Sequence, residues 1–412
     1  MSSHTPALDR RTLLGSAGLA VGAAAVSPLL ASCSAPSSAV ANSSPAASLA
    51  STPSSPVTLN IVDVAGNLAL TKPAIQAFAA ANPHIVANVT YTTGTAPDLP
   101  AKLKSEQAGG NVQTSLVLTG TDALASGITD GLYVNLKTYY DQFFPGLTAN
   151  YQTGAANMAA LAQDQGIEIV WTPSGPLVEY NPATVKSPPT TTDALLSWAQ
   201  ANPGKYQYAQ PRNSGPGRTW LMGLPYLLGD SDPTDPTNGW SKTWAYLTEL
   251  NKYISQYPSG TTATMKNIAS GTVDIIASTL GWYTNGRSIG TVPKAVAVGK
   301  FDNQVWVNDA QYGVIPKGVS NDTLIASLRL LAYILTAPGQ AVTYDAGYFY
   351  PGPAVKDVPL SQAPSSSQQV VAEFANTEFD TWIGQFPMKN SLPATAQVTA
   401  FDLWDKHIGS TK

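Results

Sequence analysis

Between Val57 and Gly66 the chain reads VTLNIVDVAG, apolar and β-branched residues interleaved with polar ones before a glycine, which predicts a strand and a turn. In the next segment Ile75, Phe78 and Ala79 recur at helical spacing until Asn82-Pro83 stops the run, which predicts a helix. The alternation then repeats. IVANVTYTTG (85–94) reads as a second strand, LPAKLKSEQAGG (99–110) as a helix closed by glycines, and TSLVLTGTDAL (114–124) as a third strand running into a loop of small residues. Strands separated by helices imply parallel βαβ units and an α/β fold. In such open sheets ligands bind beyond the carboxyl ends of the strands, so loops 63–67 and 119–122 are expected to face one crevice. No internal repeat is evident.

The amino-terminal pattern differs. Asp9-Arg10-Arg11 precedes a charge-free apolar run from Thr12 to Leu30. Gly15, Ser16, Gly18, Gly22, Ser27 and Pro28 dilute it below what a spanning helix needs, so it reads as a cleavable export signal with a twin-arginine start. Leu30-Ala31-Ser32-Cys33 resembles the lipobox of bacterial lipoproteins. The resemblance implies a leader over 1–32 and a diacylglycerol on Cys33, the only cysteine, leaving no free thiol. Acyl chains add about 0.8 kcal/mol per buried methylene, which anchors the protein to the outer face of the cell membrane through lipid alone. Residues 34–56 hold nine Ser, six Ala and four Pro and no charge, a composition that buries no core and predicts an extended linker over 33–56.

Charge narrows the function. With 22 Lys plus Arg against 26 Asp plus Glu and no basic cluster, the chain lacks the surface that neutralises a phosphate backbone, so nucleic acid is excluded as a partner. Beyond the leader only His84 and His407 occur, without a ligand spacing, and no metal or cofactor is expected. Gly286-Arg287-Ser288-Ile289-Gly290 fits G-x-S-x-G, but Thr284-Asn285 before it and Pro293 after it give no strand–elbow–helix context. A secreted glycosidase is the stronger enzymatic alternative, since nine Trp and 18 Tyr could line a sugar cleft and a carboxylate pair suffices for the chemistry. The six Glu, at 106, 168, 179, 249, 373 and 378, nevertheless lie outside segments that read as an active site. A surface-display lipoprotein is the third alternative.

AFAAANPHIVANVTY, DGLYVNLKTYYDQF, VEYNPATVKSPPTTTDALLSWAQANPGKYQYAQP and YGVIPKGVSNDTLIASLRLLAYILTAPGQAVTYDAGYFYPGPAV, in that order, resemble the solute-binding proteins of ABC importers. Within them the YNPATVKSPPTTTDALLSWAQANPG stretch is most similar to the branch that includes thiamine, polyamine and iron(III) binders. The resemblance implies a type II periplasmic-binding-protein-like fold: two discontinuous α/β lobes, joined by two crossing segments, that shut on a small polar solute and deliver it to a permease. It also implies a monomer without catalytic activity. The strand pattern puts the crossings near Ile169–Gly175 and Val305–Pro316, so residues 57–170 with 308–412 are expected in lobe 1 and 171–307 in lobe 2. Iron(III) relatives use paired tyrosines, but Tyr139-Tyr140 falls in a segment similar to a surface helix of the family and is not expected to coordinate.

The solute-contact candidates come from strand ends and helix starts. PRNSGPGRTW (211–220) reads as a helix start with Ser214 as N-cap, so Ser214, Gly215 and Arg218 could cradle an anionic or polar group. In STLGWYTNGR (278–287), after the strand VDIIAS, Trp282 and Tyr283 read as loop aromatics that stack on a ring or an organic cation. Arg287, like Arg218, hints at an anionic group. Asp63 and Asn67 flank the first turn, Gly120 and Thr121 end the third strand, Trp171 stands on the outward crossing, and Asp309 and Tyr348 are further candidates. The structural alternatives are helix capping, turn chemistry and packing between the lobes.

Overall fold

The computed structural model describes residues 49–412. The leader, Cys33 and the linker up to residue 48 lie outside the described residues. Of the linker, residues 49–56 lie against the folded body rather than extending away from it. The Leu49 carbonyl accepts from Gln142 at 2.7 Å, Arg329 donates to the Ser51 carbonyl at 2.7 Å, and the Ser54 N–H donates to Asp322 at 2.8 Å.

Among the described residues ten strands make two sheets. The first contains β1 (Val57–Asp63), β2 (Val86–Thr93), β3 (Leu116–Gly120), β4 (Ile167–Gly175), β9 (Trp306–Val314) and β10 (Met388–Lys389). Its order is β10-β9-β3-β1-β2, with β4 also paired to β9. β1 runs parallel to β2 and β3, as the strand–helix alternation requires, whereas β9 is antiparallel to both β3 and β4. The second sheet is β6-β7-β5-β8, built from β5 (Leu177–Tyr180), β6 (Tyr206–Gln207), β7 (Ile275–Ser278) and β8 (Ala297–Gly299).

β4 and β9 are the connection between the sheets. Every residue of both is buried, and they pair with Thr172 opposite Asp309 and Gly175 opposite Val307. The chain leaves the first sheet at Gly175, and after Pro176 alone β5 begins the second; it returns through residues 300–305. The expected cuts at 170/171 and 307/308 therefore fall inside these strands: residues 171–175 and 306–307 stay in the first sheet. A further departure is the helix Ala394–His407. Its Phe401 and Trp404 belong to the core of the second half, where Trp404 Nε1 donates to the Tyr208 hydroxyl at 3.0 Å. The same helix also packs against the helix Thr121–Thr129, which follows β3 in the first half.

Each sheet has its own core. Leu59, Ile61, Leu116 and Leu118 of β1 and β3 meet Leu70, Ile75, Leu328 and Leu331 of the flanking helices. In the second half Trp220 stacks on Phe301 at 5.8 Å within an aromatic cluster that includes Tyr206, Tyr208 and Tyr246. Large rings of this kind dominate the burial that holds a disulfide-free fold together. Among the described residues no single helix is long and apolar enough to cross a membrane.

Candidate solute-binding site

A cavity of about 440 Å³ opens where the strand ends of the first sheet meet the helix starts of the second half. That volume suits a small organic molecule. From the first half, Val64 and Ala65 form part of the wall after β1, Gly120 and Asp122 at the end of β3 and just beyond it, and Tyr348 and Phe349 in the loop beyond the helix Asn321–Ile334. The second half contributes Ser214, Gly215 and Arg218 from the helix Gly215–Leu228, and Thr279, Gly281 and Trp282 from the helix Leu280–Ser288. Thr172 and Ser174 of β4 and Asp309 and Gln311 of β9 lie between the two sides.

The first turn is held by Asp63 from behind the wall. Its buried carboxylate accepts N–H bonds from Ala65 at 2.9 Å, Asn67 at 3.0 Å and Leu68 at 2.8 Å, tying down the turn and the exposed amides of the helix Leu68–Ala81. Asn67 is equally enclosed: its amide donates to Gln311 at 2.7 Å and its carbonyl accepts from the Thr71 hydroxyl at 2.6 Å. Both candidates shape the turn, and the wall itself is Val64 and Ala65. The Ala65 carbonyl in turn accepts from Gln311 at 3.1 Å and from the Tyr348 hydroxyl at 3.2 Å.

At the end of β3 the expected loop is the helix Thr121–Thr129, with Gly120 as its N-cap. Gly120 reaches the cavity, whereas Thr121 is buried and absent from the wall; the side chain presented there is Asp122. Strand alternation separates neighbours on β4 in the same way. Thr172 and Ser174 face the cavity, while Trp171 is buried on the opposite face against the helix Thr153–Ala159, where a side chain at Gly154 would come within 2.4 Å of its ring.

Ser214 caps its helix as expected, accepting from the Gly217 N–H at 3.2 Å, and shares a hydrogen bond with Thr261 at 2.8 Å. Arg218, one turn on, is buried and reaches across the cavity. Its Nη2 donates to Asp309 Oδ2 at 2.6 Å and its Nη1 lies 3.9 Å from Asp122 Oδ2. Burial pushes the Asp309 carboxyl up and the adjacent guanidinium opposes that rise. Arg212, at the rim, is already engaged by Asp402 at 2.6 Å and Asp405 at 3.0 Å.

The segment after β7 is a helix and not the expected loop. Thr279 supplies the reason: its hydroxyl accepts from the Trp282 N–H at 3.3 Å and caps Leu280–Ser288. Neighbouring side chains on a helix point about 100° apart, so Trp282 and Tyr283 separate. Trp282 lines the cavity, edge-on to Tyr348 at 5.0 Å between ring centroids. Tyr283 is buried against Phe379 at 5.7 Å, with the Arg287 guanidinium 4.4 Å from its ring centroid. Arg287 donates to the carbonyls of Phe374 and Lys294 at 2.7 and 3.1 Å and is absent from the wall. The structure thus brings Gly120, Ser214, Gly215, Arg218, Trp282, Asp309 and Tyr348 together and leaves Asp63, Asn67, Thr121, Trp171 and Tyr283 in supporting positions. Sequence reasoning missed Asp122, Thr172, Ser174, Thr279 and Gln311. Alternation along β4 and the N-cap pattern at Thr279 were the available signals.

A family model of bacterial extracellular solute-binding proteins matches residues 73–372. The chain belongs to that family. No curated protein matches it in sequence. Solved structures similar in fold include an ABC transporter from Clostridium perfringens, 14% identical, with TM-score 0.62 over 85% of this chain and 99% of that one. Iron-bound HitA from Pseudomonas aeruginosa is 18% identical, with TM-score 0.58 over 84% and 99%. The binding protein AgtB from A. tumefaciens in complex with agropinic acid is 17% identical, with TM-score 0.54 over 86% and 97%. The fold is that of the type II periplasmic binding proteins, as the sequence resemblance implied.

For a solute-binding protein the wall chemistry is informative. None of the six Glu lines the cavity, and Gly286–Gly290 begins inside a helix rather than after a strand, so the hydrolase motif has no elbow. Among the described residues no group of three or more His, Cys, Asp or Glu is placed to hold a metal ion. Tyr140 packs edge-on against Phe144 at 6.4 Å, away from the cavity.

Proposed function

We propose that this protein is the extracytoplasmic solute-binding component of an ABC import system, which captures a small polar organic solute between its two halves and presents the closed form to a permease. The observation that carries the reading is the origin of the cavity wall: Asp122 and Tyr348 come from one half, Arg218 and Trp282 from the other, with β4 and β9 running between them. A solute that contacts both sides binds the closed arrangement better than the open one and shifts the population towards closure. No bond is made or broken. In this reading the protein is exported behind a twin-arginine leader, is held to the membrane by lipid on Cys33, and acts as a monomer.

The test pairs binding with shape. The purified protein is screened against a broad library of sugars, amino acids, amines and organic acids by thermal shift, then by small-angle scattering with each hit. A hit at a hundredfold excess over Kd stabilises by about 2.7 kcal/mol and a carrier becomes more compact. Product analysis after long incubation decides the glycosidase alternative, because a converted solute overturns the carrier reading. A display lipoprotein should show neither a hit nor compaction.

A further inference from the structure

We infer that the cavity selects a solute with a single positive charge attached to an apolar or aromatic body, an inference that rests on the carrier reading. It comes from the charged groups on the wall and the Asp63 carboxylate behind it. The wall carries two arginines, two aspartates and no lysine. Arg212 is paired at the rim with Asp402 and Asp405 through Nε and Nη2, so its positive charge is already offset. The carboxylate of Asp63, behind the first turn, is satisfied by three N–H groups. What remains is the cluster Asp309–Arg218–Asp122, one guanidinium between two carboxylates.

That cluster is lopsided. Asp309 takes the short bond from Arg218. Asp122 stands beyond hydrogen-bond distance at 3.9 Å, and its Oδ1 accepts only the Ala123 N–H at 2.8 Å. Its Oδ2 is therefore an acceptor without a donor, exposed to the cavity. With both carboxylates ionised the cluster carries one net negative charge, and closure over an empty or neutral-filled cavity takes that charge out of water. A monocation cancels it. An anion doubles it, and a diamine leaves one ammonium without a counter-charge in a closing cavity.

The aromatic part of the wall fits the rest of the molecule. Trp282, edge-on to Tyr348, together with Phe349 offers aromatic surface in the same cavity as Asp122. Such surface attracts a desolvated organic cation and covers its hydrocarbon. Hydroxyls of Thr172, Ser174 and Thr279 supply neutral polar contacts.

Calorimetry on the purified protein tests this with choline and benzyltrimethylammonium as monocations, and 3,3-dimethylbutan-1-ol as the uncharged isostere of choline. Putrescine, citrate, inorganic phosphate and maltose complete the panel. The expected result is binding of a monocation, with at least tenfold weaker binding of the isostere and of putrescine. Asp122→Asn, at a partly exposed position, should retain the melting temperature and lose at least tenfold in monocation affinity; Trp282→Ala should lose affinity as well. Equal affinity for choline and its isostere overturns the inference without any variant. Preferential binding of citrate, phosphate, maltose or putrescine overturns the charge assignment and leaves the carrier reading intact. Silence from both monocations also overturns the assignment, while the carrier reading stands or falls separately on the solute library and the scattering.

Discussion

Arg218 Nη2 lies 2.6 Å from Asp309 Oδ2, joining the helix that opens one side of the cavity to the long strand that returns to the first sheet. Both groups are buried, with side-chain exposures of 11% and 5%. A pair enclosed this far gains little over an apolar replacement, but removing one partner strands the other's charge.

Arg218→Met is therefore expected to destabilise the protein by about 3 kcal/mol, with the loss bounded by protonation of the stranded carboxyl. The double variant Arg218→Met/Asp309→Asn should recover part of that loss. Urea denaturation of the wild type, of Arg218→Met, of Asp309→Asn and of the double variant gives the coupling; a double-variant loss equal to the sum of the two single losses would mean that the two residues act independently.

At Gly281 the two halves pack backbone against backbone beside the cavity. A Cβ there would stand 2.1 Å from the Tyr348 carbonyl oxygen and 3.2 Å from that of Gly347. Alanine suits the interior of a helix better than glycine by about 1 kcal/mol, so Gly281→Ala should keep the helix Leu280–Ser288 while wedging it off the 347–348 backbone. The expected outcome is a fold with little change in melting temperature, solute affinity reduced by more than tenfold, and no compaction in scattering when solute is added. Retained affinity with normal compaction would show that the loop yields instead.

The pH dependence of stability should be dominated by buried carboxyls. Glu179 on β5 is fully buried, accepts from the Ser278 hydroxyl and leaves its second oxygen without a partner; burial pushes its pKa up to about 7 from 4.5, against the lowering effect of Ser278 and Arg287. The folded state holds this proton while the unfolded chain releases it, so stability falls as pH rises from 4.5 towards 7 and then levels off for this group. Glu168 on β4, fully buried with neither oxygen hydrogen-bonded, is raised well above its ordinary value by burial and then by Asp309, so it adds a loss of the same sign. Glu179→Gln should flatten part of this profile and stabilise the protein at pH 8 relative to pH 5, by an amount on the order of 1–3 kcal/mol. Chemical denaturation at the two pH values checks it. An unchanged slope would show that the Glu179 carboxyl is ionised in the folded protein.

The first half was readable in its order because its signals are local. The β1, β2 and β3 runs alternate with amphipathic helices, and a period of two or of 3.6 is visible in any short window. The helix start at Ser214 was legible for the same reason, since an N-cap hydroxyl and the amide it accepts lie three residues apart. Where local signals conflicted, the reading failed. Gly281, Thr284, Asn285 and Gly286 gave STLGWYTNGR the composition of a loop, although Thr279 caps a helix there. The serine-rich linker was read as extended to residue 56, yet Ser51 and Ser54 dock on the helix Asn321–Ile334 through Arg329 and Asp322.

By itself the sequence determined the α/β order of elements and the family, because patterning and family motifs survive in a linear string. Only the tertiary structure decided which face of each element meets the cavity. Strand alternation turns Thr172 inward and Trp171 away, and helical rotation divides Trp282 from Tyr283. It also placed Asp122, Arg218 and Asp309 in one cluster, although 96 and 91 positions separate them along the chain (218 minus 122, 309 minus 218). Electrostatic interactions depend on distance through space, and that distance is set by how the sheets and helices pack.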